Sequence, residues 1–284
     1  IFVGLLVWLP LPKASVQPWA LSILVIGSLG LIATWSLLQF KSKLRVNTAF
    51  KKALPVIGLL TLTQAWVYIT LYGQPFTSDH SAITLDAGRS QHQLLQGLGL
   101  LGIFACTLIL VRSRRRIMIV LYALIISGIV QAVYGSLMTL SGIEYNLFFP
   151  KEHYRGLATG TFVNRNHLAG YLELCLAVGI GFMIATLKDS AGSWRDVGRR
   201  ILEALLGSKA RVRIGLVIMV AALVMTHSRM GNTAFFASMT ITGVIALILS
   251  KRASKATTIL LTSLIIIDLV VVGAFFGVQK VVDR

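Results

Sequence analysis

The stretch RSRRRIMIVLYALIISGIVQAVYGSLMTL, Arg112 to Leu140, sets four arginines at one end of an apolar run, Ile117 to Ser141, that contains no acidic or basic residue. A helix needs about 20 apolar residues to cross a hydrocarbon core of about 30 Å, and this run exceeds that length. Its basic end marks the side on which positive charge is retained during insertion. Similar runs recur near residues 1–12, 19–39, 54–73, 94–111, 168–187, 214–230, 233–250 and 257–277. About nine transmembrane helices are therefore expected, in an all-α polytopic membrane protein whose residues 1–284 form a single transmembrane helical domain. The runs are too long for barrel strands of about ten residues and do not alternate with period two.

Composition agrees. Of 284 residues, 56% are hydrophobic and 13% charged, with a mean hydropathy of +0.79, far from the balance of a soluble domain. Cys106 and Cys175 both lie inside apolar runs, where they suit lipid-facing or packed thiols and not a disulfide framework or a zinc site. The chain opens on Ile1 and stops at Arg284 as a charged, amphipathic segment begins, so it is read as a piece of a longer protein, and no signal peptide is assigned.

The basic residues alternate between loops. Segments 41–52, 112–116, 188–213 and 251–255 hold 19 of the 27 Lys and Arg, and are expected on the cytoplasmic side. The net charge of +17 is then a topology signal and a contact with anionic membrane lipids, and no nucleic-acid partner is expected. Within 190–210, Trp194, Val197, Ile201, Leu202 and Leu205 recur at helical spacing among Arg199, Arg200 and Lys209. This predicts a cytoplasmic amphipathic helix lying in the interface.

Eight basic residues remain for the outward side: Lys13, Arg89, Lys151, Arg155, Arg165, Arg229, Lys280 and Arg284. Most fall in three clusters, EHYRGLATGTFVNRNHLAGYLE (Glu152–Glu173), THSRMGN (Thr226–Asn232) and VQKVVDR (Val278–Arg284). The apolar run before THSRMGN spans only Ile214–Met225, about 18 Å of helix, which places Arg229 within the outer part of the bilayer. Met230, Gly231 and Asn232 are then expected to form the turn, with Gly231 at positive φ. An arginine at that depth faces protein or a wet cavity, and Glu173 and Asp268 are the acids that could pair with it. Snorkelling to the interface is the plainer alternative.

Asn164 or Asn166 is suited to cap the helix that begins near His167. Asn166, Gly170 and Glu173 share one face of that helix, which is expected to look inward, with Gly170 admitting a neighbouring helix. The helix N-terminus beside Arg155 and Arg165 suits a phosphate. Capping with interfacial anchoring by Tyr145, Phe148, Phe149 and Tyr154 explains the same residues without a ligand. Asp79, His80, Asp86 and His92 share one outer loop but match no metal-site spacing. Asp268 is placed near mid-bilayer, as a proton relay or as the partner of an arginine.

Two of these clusters together resemble a known family. RGLATGTFVNRNHLAGYLE and THSRMGN are similar, in order and separation, to the glycine–phenylalanine–asparagine and Thr-x-Ser-Arg-x-Gly patterns of the bacterial O-antigen ligase and polymerase superfamily, over roughly residues 54–284. The resemblance implies a glycosyltransferase-C-like helical bundle in the bacterial inner membrane. It further implies an enzyme that moves a glycan from undecaprenyl diphosphate to an acceptor hydroxyl on the periplasmic side, without metal, cofactor or nucleotide sugar. Matched positions make Arg155, Arg165 and Arg229 the donor diphosphate-binding residues, supported by Asn164, Asn166, His167, His227 and Ser228. Met230 departs from the pattern, where a second glycine is common. The family's catalytic base belongs to a long periplasmic loop expected beyond Arg284, so no histidine here takes that role. The acceptor is lipid A core for a ligase, a growing glycan for a polymerase, or a protein side chain for an oligosaccharyltransferase. The competing class is a secondary transporter or lipid-glycan flippase using Arg229, Asp268 and Glu173, although no inverted repeat is evident.

Overall fold

A computed structural model describes residues 1–42, 47–72, 83–185 and 208–249. The helices are α1 (Phe2–Trp8), the single turn α2 (Leu11–Ala14), α3 (Pro18–Ser42), α4 (Thr48–Tyr72), α5 (Ala87–Leu110), α6 (Arg114–Leu140), α7 (Arg165–Ala185), α8 (Ser208–Met225) and α9 (Arg229–Leu249). Between α6 and α7 lies one small hairpin, β1 (Tyr145–Asn146) with β2 (Phe149–Pro150). The chain is mostly helical. Among the described residues five helices, α3 to α7, are long and apolar enough to cross a membrane, where the sequence predicts about nine. The expected span over 1–12 is broken after Trp8, where Lys13, Ala14 and Ser15 all take positive φ. The span at 257–277, the tail 278–284, Asp79, His80, Asp268 and the amphipathic segment up to residue 207 lie outside the described residues.

The chain forms two compact units, 1–123 and 124–284, divided within α6. In the first, α5 packs on α3 and α4, and Phe2, Leu5, Leu21, Leu24, Ile103 and Cys106 form its buried cluster. The Cys106 thiol donates to the Ser28 carbonyl at 3.4 Å, so it is packed and not lipid-facing. The exposed carbonyls at the end of α5 are taken by arginines: Arg112 Nε donates to Ile109 O and Arg116 to Leu110 O, the charge–dipole match expected at a helix C-terminus. At its other end Asp86 caps α5, its Oδ1 accepting from Arg89 N at 3.0 Å.

The second unit is a bundle built around α7. Leu168, Ala169, Leu172, Cys175, Leu176 and Gly179 are buried and follow helical spacing along one stripe. Small residues let the backbones approach. Gly128 of α6 lies against Cys175 of α7 and Met219 of α8, Gly179 against Leu216, and Gly231 of α9 against Ala169. This stripe corrects the expected inward face. Asn166 is exposed, Gly170 and Glu173 are half-buried, and a Cβ on Gly170 would meet nothing within 4 Å. Ala169 is the residue that admits the neighbour, one position earlier.

The α6–α7 connection is the unit's distinctive feature, because part of it descends into the bundle. Tyr134 of α6 holds the hairpin: its hydroxyl accepts from Leu147 N at 2.7 Å and donates to Tyr145 O at 2.9 Å. Ala158 to Phe162 are then buried. Thr161 N donates to Gln131 Oε1 at 2.9 Å, and Gln131 Nε2 donates to Thr161 Oγ1 at 2.9 Å. Gln131 stands nine residues before the end of α6, so Thr161 lies about 14 Å below that helix end. Non-helical backbone at such depth persists only where protein satisfies its polar groups. Gln131 does so for Thr161, and Met225 O accepts from Ala158 N at 3.0 Å. Gly160 permits the fold of this segment. Its φ is +56°, and a Cβ there would sit 2.6 Å from Gln131 Oε1.

Candidate functional site

One end of the second unit gathers the start of α7, the start of α9 and the surface part of the α6–α7 connection. The Ala158–Met225 hydrogen bond and the Ala169–Gly231 contact fix them together. The helix begins at Arg165, so Asn164 is the cap: its Oδ1 accepts from Asn166 N at 2.8 Å, while its carbonyl accepts from His167 N at 3.0 Å. Arg165 opens α7 one turn above Ala169 and on the same side of the helix, directly over the crossing with α9. Its guanidinium lies 5.7 Å from the centre of the Tyr154 ring, within cation–π range. Its Nε is buried and has no hydrogen-bond partner among the described residues.

The turn before α9 differs from the expected one. It runs through Thr226–His227–Ser228, with His227 at φ 51°, and Gly231 lies inside α9 with ordinary helical φ. Hydroxyls build the turn. Thr226 Oγ1 donates to Leu223 O and accepts from Ser228 N at 3.1 Å; Ser228 Oγ, the N-cap of α9, accepts from Gly231 N at 3.2 Å. Gly231 is therefore required for its contact with Ala169, where the two Cβ atoms would be 2.6 Å apart. α8 also starts at Ser208 and has 18 residues, about 27 Å of helix. The apolar part of α8 is still the run Ile214–Met225, because its first six residues include Lys209, Arg211 and Arg213. Arg229 is exposed in the first turn of α9 and makes no ion pair with Glu173.

The structure thus links the predicted arginines through intermediates. Arg155, exposed, donates from Nε to Lys151 O at 3.0 Å, and its neighbour Tyr154 underlies Arg165. Burial, and then the Arg165 charge, lower the pKa of His227 below the ordinary imidazole value. Two residues on stands Arg229. Two helix N-termini carrying Arg165 and Arg229 side by side, with Arg155 on the adjoining loop, present partial and full positive charge to one region. That charge pattern is of the kind that suits an oxyanion. Asn166 and His167 are exposed in the first turn of α7, and Ser228 is spent on capping.

Other residues of this end are not evident from sequence. Lys151, expected on the outward side, has a side chain 0% exposed, paired with Glu144 at 2.5 Å and donating to Leu157 O at 2.9 Å. Glu144 Oε1 also accepts from Gly156 N at 2.7 Å, which clasps the loop that presents Arg155. The signal for this pair is a Glu and a Lys bracketing the hairpin EYNLFFPK, seven residues apart. Asn232, in the first turn of α9, is only 8% exposed, and its Oδ1 has no hydrogen-bond partner among the described residues. Comparison of the chain with protein-family models, curated proteins and solved structures finds no match.

Proposed function

We propose that this protein is an inner-membrane glycosyltransferase that moves a glycan from undecaprenyl diphosphate to an acceptor hydroxyl on the periplasmic side, with Arg155, Arg165 and Arg229 holding the donor diphosphate. The observation that carries the reading is Arg165: a cation at the junction of two helix N-termini whose buried Nε lacks an acceptor among the described residues. Buried donors are almost always paired, and an oxyanion completes this one. In the transfer, the acceptor oxygen bonds to the anomeric carbon as the bond from that carbon to the diphosphate oxygen breaks. The acceptor's proton passes to a base, and the charge that grows on the leaving diphosphate is stabilised by the arginines, whose planar donors match phosphate oxygens. The acceptor is a glycan, a lipid A core or a protein hydroxyl.

The test is transfer from an undecaprenyl-diphosphate-linked glycan by the full-length protein in nanodiscs, with each acceptor class supplied in turn. Arg165→Ala and Arg229→Ala are expected to lower transfer about 100-fold or more. Wild-type rates at equal protein levels would overturn the assignment.

A further inference from the structure

We propose that Asn232 is a specificity-determining residue that accepts a hydrogen bond from the sugar attached to the donor diphosphate, so that the site reads a sugar diphosphate and not the diphosphate alone. The proposal rests on the diphosphate reading above and adds to it a residue that none of the charge arguments requires. Asn232 is 8% exposed and its buried Oδ1 has no partner among the described residues. Helical side chains lean toward the N-terminus of their own helix. From the first turn of α9 the carboxamide therefore lies toward Ser228, at the end of the unit where Arg165 and His227 meet.

Arg165 Nε and Asn232 Oδ1 are opposite in kind, one a buried donor without an acceptor and the other a buried acceptor without a donor. An anionic oxygen satisfies the first but gives the second, as the carboxamide is oriented here, no hydrogen to accept. A ligand that satisfies both presents an anionic oxygen and, close by, an O–H or N–H. A glycosyl diphosphate has this pattern, in the phosphate oxygens and in the hydroxyl or acylamino group of the adjoining sugar. A bare polyprenyl diphosphate supplies the anionic oxygens without the hydroxyl or acylamino donors of a sugar.

Stability separates this role from a packing role. Leucine has the same number of side-chain heavy atoms as asparagine and branches at the same carbon, and exchanging an unpaired buried amide for an apolar side chain of that shape is neutral or stabilising. Asn232→Leu is expected to melt at or above the wild-type temperature. The binding experiment uses the full-length protein in nanodiscs with two probes, undecaprenyl diphosphate and undecaprenyl diphosphate carrying one N-acetylglucosamine. Wild-type protein is expected to prefer the sugar-bearing probe by about 10-fold, the scale of one buried hydrogen bond. Asn232→Leu should bring that ratio close to one while changing affinity for the bare carrier less than about twofold. Arg165→Ala should weaken both probes. An unchanged ratio in Asn232→Leu, no preference in the wild type, or a lowered melting temperature in Asn232→Leu overturns the role of Asn232. Equal binding of the bare carrier by wild type and Arg165→Ala overturns instead the diphosphate reading on which it rests.

Discussion

Replacing Gly160 by alanine tests the descending loop most directly. Two costs follow from its geometry. The φ of +56° lies in the left-handed region, where a Cβ costs about 1–2 kcal/mol. The new methyl would also lie 2.6 Å from Gln131 Oε1 and 3.1 Å from Leu168 Cδ1, and overpacking of this kind costs about 1–3 kcal/mol more. The total, about 2–5 kcal/mol, falls on local undocking of the segment, because the surrounding helices keep their own contacts. Amide hydrogen exchange in nanodiscs reads this at Thr161 N, whose acceptor is Gln131 Oε1. A loss of 2 kcal/mol accelerates exchange about 30-fold. Gly170→Ala is the control: its Cβ meets nothing within 4 Å, and alanine in a helix is favoured over glycine by about 1 kcal/mol. Exchange at Thr161 should stay at the wild-type rate there. Exchange in Gly160→Ala within about twofold of wild type, or equal acceleration in both variants, would refute the placement of the loop.

Two further outcomes follow from the same end of the molecule. Lys151→Met leaves the Glu144 carboxylate, 13% exposed, without its cation and should cost about 3–5 kcal/mol in thermal melting, while Lys151→Met with Glu144→Gln should recover most of the loss; equal melting of the two would contradict a buried ion pair. For His227, whose folded-state pKa is lowered by burial and then by Arg165, the unfolded chain takes up the proton first as pH falls, so stability is constant above the ordinary imidazole value of about 6.5 and declines below it. His227→Gln should flatten melting temperature between about pH 5 and 7, and an unchanged slope in that variant would assign the decline to another group.

The five long apolar helices among the described residues were legible because hydropathy sums over many residues. The run 19–39 became Pro18–Ser42, and 168–187 became Arg165–Ala185. Boundaries failed where residue chemistry and helix formation disagree. Lys209, Arg211 and Arg213 argue against an apolar span, yet Lys and Arg are good helix formers and their long stems can carry charge to an interface, so α8 starts at Ser208. The turn failed for a related reason. Gly231 and Asn232 have the composition of a turn, but the hydroxyls of Thr226 and Ser228 supply the hydrogen bonds that make one, and the glycine serves a helix contact instead. The grouping of Arg155, Arg165 and Arg229 at one end was accessible from charge and order along the chain. The Gln131–Thr161 pairing was not, because one glutamine in a long apolar run scarcely changes its hydropathy and a partner 30 residues away leaves no local periodicity.

The hydrogen bond from Ala158 to the last carbonyl of α8 carries a consequence for biogenesis. The connection between α6 and α7 leaves the ribosome well before Met225 does, yet its resting place is completed by Met225. During synthesis this segment must wait, hydrated and undocked, until α8 has been made and packed, and only then can it be lowered into the bundle. Its docking is thus a late checkpoint of assembly. Chains arrested before α8 would expose the residues around Ala158 to proteases on that side of the membrane, and full-length chains would bury them.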